Sequence, residues 1–153
     1  MRTHLAARRQ VLASLAGLGL APFVGAWPAR ATEGLSFDEL YGKVGVLGLE
    51  FSGKTKALAG QSVTMRGFMA PPLKAEAKFF VLTEIPMSLC PFCSTDADWP
   101  DNIVVVYLTQ AQTFVQANRP IEASGRLEVG SWRDPETGFV SLLRIVDASF
   151  ATV

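Results

Sequence analysis

Cys90 and Cys93 stand two residues apart in Met87-Ser88-Leu89-Cys90-Pro91-Phe92-Cys93-Ser94-Thr95-Asp96-Ala97-Asp98, the densest cluster of chemistry-bearing side chains in the chain. A Cys-x-x-Cys spacing brings two sulfurs close enough to form a disulfide or to share one metal ion. Three readings stay open. The pair is a disulfide stapling its loop, the bland outcome for a lone pair in an oxidising compartment. It is half of a metal site, since thiolates suit zinc or copper(I), with Asp96, Asp98 and Met87 as further donors. Or it is a thiol–disulfide exchange couple, because this motif can lower the pKa of its first thiol. The surroundings lack the βαβ pattern of thioredoxin-like proteins, and no Trp directly precedes Cys90.

The one histidine narrows the chemistry further. His4 lies within residues 1–31, a segment with four arginines and no acid. Arg8-Arg9 precedes an uncharged apolar stretch, Gln10 to Ala29, and Ala29-Arg30-Ala31 has the small-x-small form of a leader-peptidase site. The Arg-Arg pair followed by Val11-Leu12 resembles a twin-arginine leader, with Ala7 and Val11 where Ser or Thr and Phe are usual. The expectation is a signal peptide over 1–31, export to the periplasm, and a single mature domain over 32–153. Glycines and prolines interrupt the apolar stretch, which argues against an uncut anchor, and no membrane insertion of the mature chain is expected.

Without its leader the chain has no histidine. A Ser-His-Asp triad, a Cys-His pair and histidine-ligated metal are then excluded within one chain. Ten basic residues remain against fourteen acidic ones. Such a body lacks the basic patches that nucleic acid requires, so no nucleic-acid partner is expected. No two carboxylates stand out as an acid–base pair, and the reading is non-enzymatic.

The elements that must hold the cysteines read as strands. Ser36-Phe37-Asp38-Glu39 has the Ser-x-x-Glu form of a capping box and predicts a short helix. Gly42 to Phe51 predicts one weak strand. In Ser62 to Met69, Val63, Met65, Gly67 and Met69 alternate with Thr64 and Arg66, the period of a half-buried strand. Phe79 to Thr83 and Ile103 to Leu108 are continuous apolar runs, as buried strands are. Ile121 to Val129 alternates, Gly130 to Gly138 reads as a hairpin connection, and Phe139 to Val146 as the last strand. Gly67 and Gly125 interrupt strands and mark bends or bulges. Met65 and Met69 read as core filler. Trp132, beside Arg133 in the connection, reads as an exposed aromatic that could anchor a partner. The fold class is all-β: a small OB-like barrel with short helical segments.

Gly67-Phe68-Met69-x-Pro71, the strand at Phe79 to Thr83, the Cys-bearing loop and Trp99-Pro100-Asp101-Asn102-Ile103-Val104-Val105-Val106 together resemble a family of small exported bacterial proteins. The resemblance spans about residues 58–146, a typical domain's worth of chain. It implies an OB-like barrel of no settled biochemical function, often encoded beside ABC-type export or metal-uptake permeases. A transporter-accessory role, with an ABC-type permease as partner, follows from it as an expectation. Many members carry a His beside the loop cysteine. Here Cys90, Cys93 and Pro100 stand without one.

Overall fold

The alternating run Ser62–Met69 forms strand β4, and it places Val63, Met65 and Met69 in the core. The computed structural model describes residues 32–45, 48–71, 78–87, 99–111 and 113–153. The chain order is β1 (Glu33–Gly34), a 3-10 turn (Phe37–Glu39), β2 (Tyr41–Gly45), β3 (Gly48–Phe51), α1 (Gly53–Leu58), β4, β5 (Phe79–Thr83), β6 (Ile103–Leu108), β7 (Pro120–Arg133) and β8 (Val140–Thr152).

The strand pairings close on themselves. β4 runs antiparallel to β5 through Phe68 and Met69, β5 antiparallel to β6, β6 parallel to β8, and β8 antiparallel to β7. β7 then returns to β4, with Ser62 to Phe68 opposite Arg126 to Pro120. This ring of five strands gives the small all-β fold that the sequence predicts. β1 adds two parallel residues to the outer edge of β4, and β2 with β3 forms a separate hairpin. One hydrophobic cluster runs through the barrel and includes Met65, Phe80, Leu82, Val104, Val106, Ile121, Leu127, Leu143 and Ile145. β5 is buried along its whole length, and so are the first four residues of β6, which is why both read as continuous apolar runs.

Closing a small barrel with two long strands needs local breaks in register. On β7, Gly125 alone faces Asp147 and Ala148, because Ser124 pairs with Ser149 and Arg126 with Val146. β6 sees the same extra residue, since Val106 pairs with Ile145 and Leu108 with Ala148. The bulge is therefore a property of β8. Asp147 takes a φ of 52°, a left-handed conformation that Asp tolerates better than most residues. Its carboxylate accepts a hydrogen bond from Arg126 at 3.1 Å. A second break lies on β7 at Gly130, whose φ is +114°.

The structure corrects several boundaries. Gly42 to Phe51 is a hairpin of two strands turning before Gly48, where φ is +106°. Gly130 to Arg133 belong to β7, because the bulge absorbs the glycine and pairing with β8 resumes at Trp132 and Arg133. The true connection is Asp134 to Gly138, an Asx-type turn in which Asp134 Oδ1 accepts from the N–H groups of Glu136 and Thr137. The last strand continues six residues past Val146. Helix α1 has no counterpart in the sequence reading. Its signal is Ser52, whose hydroxyl accepts from Thr55 N–H at 3.0 Å as an N-cap, with Gly60 closing the segment at a φ of +79°.

Among the described residues the Ser141 hydroxyl is buried without a hydrogen-bond partner, and the buried Tyr107 hydroxyl lies beside the Asp134 carboxylate. Burial, followed by the nearby Asp134 carboxylate, raises the Tyr107 phenol well above its ordinary range. An unpaired buried hydroxyl is a desolvation penalty that its removal relieves. Ser141→Ala should therefore leave stability unchanged or raise it by up to about 1 kcal/mol. Thermal unfolding of the variant checks this, and a lowered melting temperature would show that the hydroxyl is satisfied.

Candidate functional site

The segment joining β5 to β6 carries the predicted site, and its two stems are held by side chains that the strands position. Thr83 and Ile103 are paired across the two strands at its base. Beyond that pair, Thr83 Oγ1 donates to the carbonyl of Ile85 at 2.7 Å, and Glu84 N–H donates to the carbonyl of Asn102 at 3.1 Å. On the return side Trp99 is only 4% exposed, and its indole N–H donates to the Tyr41 hydroxyl at 2.7 Å. Tyr41 in turn stacks on Phe51, with ring centroids 5.3 Å apart. A buried indole whose one polar atom is satisfied is a firm anchor, because it combines a large apolar area with a directional bond. The return stem is thus fastened to the β2–β3 hairpin, and the outgoing stem to Asn102 just before β6.

Met87 is described and half-buried on the outgoing stem. Cys90, Cys93, Asp96 and Asp98 lie outside the described residues, as does the segment 1–31 expected to be a leader, with its Arg8-Arg9 pair. Among the described residues no group of three or more His, Cys, Asp or Glu side chains could hold a metal ion. Among them, too, no helix is long and apolar enough to cross a membrane.

Beside the outgoing stem lies a cleft of about 540 Å³ that the sequence reading did not anticipate. Its walls are the Gly34 to Glu39 segment and the outer face of β4, and Glu84 is common to the cleft and the loop stem. Arg66 Nε donates to Glu122 at 2.7 Å across β4 and β7, and the hydroxyls of Thr64 and Ser124 meet at 2.9 Å. The two-residue parallel pairing of β1, the Leu35 N–H bond to the Thr64 carbonyl and the buried Leu35 and Phe37 hold the Gly34 to Glu39 segment over β4, and no periodicity signals so short a strand. Glu122 and Glu128 are both ion-paired.

The capping-box glutamate has a defined electrostatic role. Glu39 accepts from Lys54 at 2.7 Å, from Ser36 N–H at 3.1 Å and from the Ser36 hydroxyl at 2.9 Å. The Lys54 hydrogen bond, then the two from Ser36, lowers its pKa from 4.5 to about 2. A carboxylate with a depressed folded-state pKa stabilises above its unfolded pKa and loses that contribution as pH falls through the folded value. The melting temperatures of wild type and Glu39→Gln should therefore differ at neutral pH and converge between about pH 4.5 and 2. A gap that persists at pH 2 would contradict this assignment.

Trp132, expected as an exposed contact, is 36% exposed and packs edge-on against Tyr107 at 5.3 Å. The Arg144 guanidinium lies 5.2 Å from its ring centroid. Much of the indole therefore serves intramolecular packing.

No family model and no curated protein matches the chain. A solved structure shares its fold. It is the crystal structure of a DUF3299 family protein from Pseudomonas aeruginosa PAO1, with a TM-score of 0.55 and 15% sequence identity over 80% of this chain and 97% of that one. At this identity the likeness concerns the fold alone. It takes in nearly the whole of the other chain.

Proposed function

We propose that this chain is a non-enzymatic, exported binding protein of the cell envelope. Its Cys90–Cys93 loop takes a soft metal ion, zinc or copper(I), in support of an ABC-type permease. The observation that supports this reading best is the framing of the loop. Trp99 on Tyr41 ties the return stem to the β2–β3 hairpin, and Glu84 on Asn102 ties the two stems together where they leave β5 and enter β6. A rigid scaffold that presents one loop is the usual arrangement for recognition. Thiolates from Cys90 and Cys93 supply two soft donors, and Asp96, Asp98 and Met87 are the available additions. The resemblance to small exported OB-like proteins supplies the envelope setting and the transporter partner. A twin-arginine route would fit, because it carries folded proteins and lets a metal enter in the reducing cytoplasm before export.

Metal titration of the reduced chain from Thr32 onward tests the proposal. It should take up one zinc or copper(I) ion per chain. Cys90→Ser and Cys93→Ser should each abolish uptake, and Asp96→Ala or Asp98→Ala should weaken it. Failure to bind either ion would overturn the metal reading. With that failure, a potential of roughly −270 to −120 mV would identify a redox couple, and one below about −300 mV a structural staple. Replacing Arg8 and Arg9 with Lys should retain the protein in the cytoplasm, and unchanged export in cell fractionation would contradict the twin-arginine route.

A further inference from the structure

We draw no further inference here: the strongest candidate, the cleft between the Gly34 to Glu39 segment and the outer face of β4, is rimmed by carboxylates around the exposed Arg66–Glu122 pair, and nothing in the structure shows what occupies it.

Discussion

Gly67→Val and Gly125→Val should each destabilise the barrel by about 3 kcal/mol, the upper end of the usual cost of overpacking. Neither glycine has a positive φ, so the argument rests on space. A Cβ at Gly67 would lie 2.6 Å from the carbonyl oxygen of Thr83, and 3.1 Å from both Leu82 Cγ and Phe37 Cε2. A Cβ at Gly125 would lie 2.6 Å from the carbonyl oxygen of Val146 and 2.7 Å from Ile145 Cγ2. The obstructing atoms are chiefly backbone within paired strands, which cannot swing aside as a side-chain tip can. Both positions do structural work in closing the ring. Gly67 lies where β4 passes from pairing with β7 to pairing with β5, and Gly125 faces the bulge at Asp147. The expected fall in melting temperature is roughly 10 °C for a domain of this size. Gly34→Ala is the control, since nothing lies within 4 Å of its added Cβ and its φ is not positive. It should change stability by no more than about 0.5 kcal/mol. Equal melting temperatures for wild type and both valine variants would refute the close-approach argument.

Arg144→Ala is expected to have the next largest effect, about 2–3 kcal/mol. Arg144 is 9% exposed on β8, and its guanidinium makes three separate contacts. Nε donates to Glu128 at 2.9 Å, Nη1 donates to the carbonyl of Gly130 at 2.9 Å, and the group as a whole lies over the Trp132 ring. Truncation leaves the carbonyl of the Gly130 bulge without this donor and removes one of the two cations on Glu128. The loss stays below the full cost of orphaning a buried charge, because Arg126 still pairs with Glu128 at 2.7 Å and that carboxylate is partly solvated. Arg144→Lys should recover little, since an ammonium has no planar fork to serve a carboxylate, a carbonyl and an aromatic face together. Chemical denaturation of the two variants checks both statements. A lysine variant as stable as wild type would show that charge alone is what matters at this position.

Local patterning carried the strands. Alternation at Val63, Met65 and Met69 and the apolar runs of β5 and β6 report burial directly, because a strand's side chains alternate between its faces and a strand buried on both faces has no polar side. The same logic explains where reading by pattern stopped short. Gly130 looked like the start of a turn, yet it is a bulge within a strand that continues to Arg133, while Gly48 opens β3 and Gly60 follows α1 at breaks that no periodicity marks. A glycine signals that the backbone does something unusual, and only its neighbours in space decide what.

From the residues alone came the Cys-x-x-Cys spacing of Cys90 and Cys93, the acidic and histidine-free body, the leader-like first segment and an all-β fold. These follow from composition and from contacts within a few residues, which a linear chain displays. The tertiary structure alone decided which strands meet. The parallel pairing of β6 with β8 and the return of β7 to β4 join residues scores of positions apart, and the energy of those pairings belongs to partners that the sequence does not place side by side. The same holds for the Tyr41–Trp99 bond at the loop's stem, the cleft beside Glu84 and the Arg144–Trp132 contact. Each joins residues from different elements, so each exists only once the barrel has closed and fixed their separation.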